Sequence, residues 1–312
     1  MTRTTTRHFL RDDDLTPLEQ ARVLALAAAY KADPFRARPL EGPQSVALLF
    51  DKPTLRTQVS FSAGIAELGG FPMVVDGRLA GVGERESVAD VARVLGRQAR
   101  MVVWRTHGQD RLEEMAAVSG VPVVNALSDD FHPCQLLADL QTVQEARGEL
   151  AGLHVSFLGD GSCNVAHSWL LAGATAGMHV RIAAPIEFAP ATEVLERSAA
   201  IAESTGGSIS YMTDPVAATS GADVVTTDTW VSMGREGEAS ERREVFAPYA
   251  LDQDALDRAA PDAVVLHCLP AYRGKEIAAE VIDGPNSRVW DEAENRRHAQ
   301  KAVLDFLLEH DR

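Results

Sequence analysis

The chain has 312 residues, 46% hydrophobic and 24% charged, with a net charge of −15. At about 150 residues per domain this length predicts two domains with a sizeable core, and the acidic balance argues against a nucleic-acid partner, whose phosphates need a basic face. No apolar run approaches the ~20 residues of a membrane span, the polar N-terminus does not read as a signal peptide, and Cys134, Cys163 and Cys268 lack a disulfide-framework spacing, so a cytoplasmic protein is expected.

Strand-like apolar runs alternate with helical patterns along the chain, which predicts α/β architecture with parallel sheets. Thr16-Pro17-Leu18-Glu19 is a capping box with Pro at the first helical position, and the helix it starts is expected to turn Leu18, Val23, Leu24 and Leu26 towards a core. A strand over Ser45–Phe50 leads through Asp51–Thr57 into a helix that ends near Leu68, stopped by Gly69-Gly70. Further strands are predicted at Pro72–Val75, Met101–Trp104 and Pro122–Asn125. Leu136, Leu137, Leu140 and Val143 recur at helical spacing within Pro133–Arg147, a helix expected to bridge the two domains. The second half repeats the alternation, with strands near His154–Leu158, His179–Ala183, Asp223–Thr226 and Ala263–Leu266. Gly234–Arg243 is polar and reads as a mobile loop. A last helix carries Ala299, Ala302, Val303, Phe306 and Leu307 on one face. The expected domains are 1–133, with helix 292–312 packing back on it, and 134–291. Each is a parallel sheet flanked by helices, the two joined by interdomain helices.

Three segments of the first half suit a phosphate. Lys52-Pro53-Thr54-Leu55-Arg56-Thr57 lies between strand and helix, where backbone N–H groups and the helix dipole favour an anion. Arg56 and Lys52 add charge, and Thr54 and Thr57 add hydroxyls. Trp104-Arg105-Thr106 puts at a strand end an Arg able to fork two hydrogen bonds to phosphate. Phe131-His132-Pro133-Cys134-Gln135 opens the bridging helix with a His and a Gln three apart, able to present an N–H and an amide to a small carbonyl compound. Taken singly, these segments read as well or better as a capped helix with surface Arg residues, a salt-bridge Arg and a structural His.

The second half offers three more. Gly159-Asp160-Gly161-Ser162-Cys163-Asn164 follows a strand, but its third-glycine place holds Asn164 and no acid closes the next strand, which argues against a nucleotide cofactor. Asn164 alone could equally be a helix cap. Asp228-Thr229-Trp230-Val231-Ser232-Met233-Gly234 places a carboxylate at a strand end, suited to an α-amino group or to a turn cap. His267-Cys268-Leu269-Pro270-Ala271-Tyr272-Arg273-Gly274 follows Val264-Val265-Leu266. It puts polar groups at a strand's carboxyl end, where open α/β sheets bind ligands. A lone Cys268 would otherwise be a small hydrophobe.

In this order the motifs resemble the aspartate/ornithine carbamoyltransferase family on its ornithine side, over roughly residues 8–308. The resemblance implies carbamoyl transfer from carbamoyl phosphate to the δ-amine of L-ornithine, giving L-citrulline and phosphate in arginine metabolism. It assigns Thr54, Leu55, Arg56, Thr57, Arg105, His132, Gln135 and Arg296 to carbamoyl phosphate, in domain 1–133 and the last helix. Asn164, Asp228, Ser232, Met233, Cys268 and Leu269 go to ornithine, in domain 134–291. Arg56, Arg105, His132 and Cys268 are the catalytic set. No metal or organic cofactor is implied, and a homotrimer or a multiple of one is. The chain departs from the family pattern at Leu55 (Thr), Gln58 (Arg), Gly81 (a Gln that reaches a neighbouring subunit) and Tyr272 (His). The alternatives are another acceptor, such as putrescine or an N-acylornithine, and a non-catalytic paralogue that binds carbamoyl phosphate.

Overall fold

The computed structural model describes residues 6–231, 237 and 239–310. The chain divides into two units, one of Met1–Ala138 with Glu294–Arg312 and the other of Asp139–Ala293.

The first unit holds strands β1 (Ser45–Phe50), β2 (Phe71–Asp76), β3 (Met101–Arg105) and β4 (Val123–Leu127), with helices α1 (Pro17–Ala32), α2 (Arg56–Glu67), α3 (Gly77–Ala80), α4 (Val88–Gln98) and α5 (Gln109–Ser119) between them. Its sheet runs β2-β1-β3-β4, each neighbouring pair parallel. Central strands β1 and β3 are buried almost throughout, as a parallel sheet covered on both faces requires. The chain leaves β1 for one side of the sheet and returns to the other at β3. That reversal makes the carboxyl ends of β1 and β3 the crevice where such sheets bind ligands. Register pairs Phe50 with Arg105, so Asp51 and Thr106 leave the sheet side by side.

The second unit holds β5 (His154–Leu158), β6 (His179–Ala183), β7 (Ser208–Met212), β8 (Val224–Thr227) and β9 (Val264–His267), parallel in the order β7-β6-β5-β8-β9. Here the reversal lies between β5 and β8. Leu158 pairs with Thr227 and Thr227 with His267, which brings Gly159, Asp228 and Cys268 out at one level.

Two helices carry the chain across the division, α6 (Pro133–Arg147) and, at the end of the chain, a long helix over Val289–His310. Between them lie α7 (Asn164–Thr175), α8 (Thr192–Thr205), α9 (Pro215–Thr219), α10 (Ala239–Phe246), α11 (Gln253–Arg258) and α12 (Ala279–Ile282), so the long helix is α13. Among the described residues no helix is long and apolar enough to cross a membrane.

The structure departs from the sequence reading at four places. Leu18 is 85% exposed, and the buried residues of α1 are Gln20, Val23, Leu24, Ala27 and Tyr30. Strand β7 was not anticipated. The segment expected to be a loop forms helix α10 from Ala239 onward, while its residues 234–236 and 238 lie outside the described residues. Helix α13 is buried on every side from His298 to Leu308, not on one face. Its polar groups are therefore paired inside: Lys301 donates to Glu67 (2.6 Å) and to the Pro34 carbonyl, and Asp305 accepts from the Tyr30 hydroxyl at 2.7 Å.

Candidate active site

In the first unit the site is built at the carboxyl ends of β1 and β3. Helix α2 begins at Arg56 with Leu55 in the cap position, and no side chain caps it. The amides of its first turn are therefore left without a side-chain cap, an arrangement that suits an anion. Leu55 is exposed, Thr54 and Arg56 are half-buried and Thr57 is buried. The Thr57 hydroxyl accepts from Arg105 at 3.4 Å and from Arg296 at 2.9 Å, so one hydroxyl joins β3 and α13 to the first turn of α2.

His132 is buried just ahead of α6, and the backbone N–H of the buried Gln135 donates to its carbonyl at 2.9 Å. Burial holds the imidazole well below its usual pKa, helped by the positive charges of Arg296, Arg105, Arg56 and Lys52. Positive charges acting together at this place within an acidic chain make a field that suits an anion. A neutral imidazole there can donate one N–H to a carbonyl oxygen. Lys52 is ion-paired with Asp129. Burial pushes Cys134 up to about 12, and its thiol donates to the Asn125 carbonyl at 3.4 Å, a structural role.

Two departures from the family pattern have visible consequences. Gly81 ends α3 in the left-handed region (φ +66°), and a Cβ there would lie 2.9 Å from the Arg85 side chain. A Gln at this position would be strained as well as crowded. Gln58 is exposed on the first turn of α2.

In the second unit, the turn after β5 needs glycine at Gly159 (φ +128°) and at Gly161, where a Cβ would sit 2.8 Å from the Phe188 carbonyl. The cap of α7 is Cys163, whose sulfur accepts from Ala166 N, so Asn164 is the first helical residue and not the cap.

Asp228 Oδ1 accepts from Thr229 N at 2.7 Å and from the Cys268 thiol at 3.2 Å. Burial raises the Asp228 carboxyl above its usual range, partly offset by His267 and by these two bonds. Cys268 is held well above its usual value by burial and then by Asp228 and Glu292, so it is a thiol that donates and not a thiolate nucleophile. Burial, and then the Asp228 and Asp160 charges, likewise raise Cys163. Ser232 and Met233 lie outside the described residues.

His267 Nδ1 accepts from Leu269 N at 2.9 Å, its Nε2 faces Glu276 at 3.4 Å, and its backbone N–H donates to Glu292 at 2.8 Å. Leu269 sits at φ +58°, a conformation a branched side chain keeps only when its surroundings impose it. The carboxylate of Glu276, missed by the sequence reading, also accepts from Tyr272 N. Tyr272 itself is exposed. Among the described residues, Asp228, His267 and Cys268 offer ligand atoms within 4.8 Å of one another, a spacing a divalent ion could use. In the structure as it stands these atoms bond to protein groups instead.

A family model for the aspartate/ornithine carbamoyltransferase carbamoyl-P binding domain matches residues 7–145, and one for the Asp/Orn binding domain matches 151–307. The ornithine carbamoyltransferase of Clavibacter michiganensis subsp. michiganensis is 60% identical over 303 residues, covering 97% of this chain and 99% of that one. The solved ornithine carbamoyltransferase of Pyrococcus furiosus superposes with a TM-score of 0.92 at 41% identity, covering 97% of each chain. The anabolic ornithine carbamoyltransferase of Campylobacter jejuni superposes with a TM-score of 0.91 at 35% identity, covering 96% of this chain and 98% of that one. Both sheets, the motifs on them and these relatives place the chain in one family: it belongs to the aspartate/ornithine carbamoyltransferases.

Proposed function

We propose that the chain transfers the carbamoyl group of carbamoyl phosphate to the δ-amine of L-ornithine, giving L-citrulline and phosphate. The observation that carries this reading is that Arg105 and Arg296 both donate to the Thr57 hydroxyl at the β1/β3 crevice, beside Arg56 at the start of α2. In this reading the first unit takes carbamoyl phosphate and the second takes ornithine. Arg56, Arg296, Thr54 and the amides of Leu55 and Thr57 hold the phosphate. Arg105, His132 and Thr57 polarise the carbonyl and stabilise the oxyanion of the tetrahedral intermediate, with Gln135 on the carbamoyl amide. Asp228 takes the α-amino group, and Cys268 and Leu269 lie along the side-chain amine, with Asn164, Ser232 and Met233 completing the acceptor site.

The δ-amine attacks the carbonyl carbon, phosphate departs with the electron pair of the C–O bond, and the amine proton leaves with phosphate. Freeing the amine, with a pKa of about 10.4, costs about 5 kcal/mol at pH 7. Holding two substrates in register is worth about 7–11 kcal/mol, so orientation outweighs that cost without a protein base.

A homotrimer, or a multiple of one, is supported by the apolar side chains of Leu55, Val59, Phe71, Val74 and Leu79, exposed at the start of α2, on edge strand β2 and on α3. The free thiols of Cys134, Cys163 and Cys268 support a cytoplasmic setting.

The test is ureido-product formation by the purified protein with carbamoyl phosphate and, separately, ornithine, N-acetylornithine, putrescine and aspartate. Citrulline from ornithine alone is expected. A preference for another amine overturns the acceptor, and carbamoyl phosphate bound without any product overturns the enzyme.

A further inference from the structure

Asp51 stands immediately before the phosphate segment and belongs to no motif. Its side chain is buried, 7% exposed, at the end of β1. Oδ2 accepts from Trp104 Nε1 at 3.1 Å and from the Thr106 hydroxyl at 2.7 Å, and Arg111 faces it at 3.4 Å. Trp104 and Thr106 are the two residues that flank Arg105. The backbone closes the same link, because Asp51 N donates to the Arg105 carbonyl at 2.9 Å. Arg111 lies over the Trp104 ring at 4.9 Å and donates to the Val82 carbonyl at 2.6 Å, which ties in the loop after α3. On the other side a Cβ at Gly77 would fall 1.9 Å from Asp51 Oδ1, so the start of α3 must be glycine for this carboxylate to fit.

We infer that Asp51, with Arg111 as its counter-ion, is a positioning residue for the carbamoyl-phosphate site, setting where Arg105 stands relative to the first turn of α2. The inference rests on the function proposed above. Asp51 does not touch the reacting atoms; it acts through Arg105 and through the chain that enters α2. A side chain there whose only task was to fill space could be apolar, since burying a carboxylate is costly unless it is paired and hydrogen-bonded. This carboxylate's bonds go to both neighbours of Arg105, and a guanidinium displaced by a fraction of an ångström loses alignment with the carbonyl it must polarise.

The test is Asp51→Asn beside Thr106→Val. The amide keeps an acceptor for Trp104 and Thr106 but loses the charge opposite Arg111; the valine keeps the shape of Thr106 and loses one of the two bonds. Asp51→Asn is expected to raise KM for carbamoyl phosphate on the order of tenfold. It is also expected to weaken inorganic phosphate, measured by calorimetric titration, to a similar degree, with KM for ornithine within about twofold of wild type. Thr106→Val is expected to move the same two quantities in the same direction by a smaller factor, and it decides the matter if Asp51→Asn does not fold. A lowered melting temperature without that split, or an equal loss for both substrates, overturns the inference and leaves Asp51 a structural acid. If wild type forms no citrulline the proposed function falls instead, and phosphate affinity of the variants still decides whether Asp51 shapes the anion site.

Discussion

Replacing Arg242 by Met tests the buried pair that fastens α10 to the β5 turn. The Arg242 side chain is 4% exposed and pairs with Asp160, whose side chain is 9% exposed. Its Nε also donates to the Trp230 carbonyl, and its guanidinium lies 4.8 Å from the Phe188 ring and 5.1 Å from the Phe246 ring. Met keeps most of the volume and the contact with both rings, so the packing loss is small. The cost comes from Asp160, which keeps bonds from Ser162 N (3.0 Å) and the Ser162 hydroxyl (2.6 Å) but loses the Arg242 guanidinium, its ion-pair partner among the described residues. Removing one partner of a buried pair costs about 3–5 kcal/mol, and the two remaining bonds favour the lower end, about 3 kcal/mol. At about 2–4 °C per kcal/mol for a unit of this size, the transition of the second unit should fall by roughly 6–12 °C. Scanning calorimetry is the assay, because two units can unfold separately and a single-wavelength melt would blend them. Adding Asp160→Asn to Arg242→Met removes the stranded charge and should recover about 1–2 kcal/mol. A loss under about 1 kcal/mol for the single variant, or a double variant no more stable than the single, would refute the reasoning.

Arg105→Ala should lower the citrulline rate by about 10²–10³, the usual cost of one lost oxyanion donor, with an unchanged near-ultraviolet spectrum; a near-normal rate removes Arg105 from the mechanism. Cys268→Ser should raise KM for ornithine while leaving that for carbamoyl phosphate unchanged, and an unaltered ornithine response refutes its role. Because burial and Asp228 hold the Cys268 thiol protonated, its alkylation by iodoacetamide at pH 8 should be slow in the native protein and fast in urea; rapid native labelling contradicts that assignment. His132 has its pKa depressed by burial and four cations. Its contribution to stability is therefore complete above the unfolded value of about 6.5 and is lost as pH falls towards the folded value. His132→Gln should accordingly flatten the decline in urea stability between about pH 6.5 and 5. His298 and His154, also depressed by burial, retain part of the slope, and an unchanged slope refutes the assignment.

What could be read from the sequence, and what could not, divides along chain distance. Each motif is a short contiguous run after an apolar strand, so Arg56, Arg105, His132, Asp228 and Cys268 are visible one by one. Their convergence is not, because Arg105 and Arg296 reach Thr57 from 48 and 239 positions away. Strand β7, Ser208–Met212, escaped notice because it is a sheet edge with no fully buried residue and hence no clean apolar alternation. The buried face of α1 was read only in part: Val23 and Leu24 do face the core, but Leu18 does not, and the rest of the face runs through Gln20, Ala27 and Tyr30, with Tyr30 turned inward because Asp305 takes its hydroxyl. Helix α10 read as solvated because Arg242 looks like a surface charge until Asp160, 82 positions earlier, is set against it. Asp51 and Arg242 share that property: each is a charge made tolerable in the interior by partners the local sequence does not contain. A group that places other groups needs no fixed spacing to them along the chain, only proximity in the folded sheet. Such residues therefore carry no motif, and they are found by asking of each buried charge which segments its partners hold together.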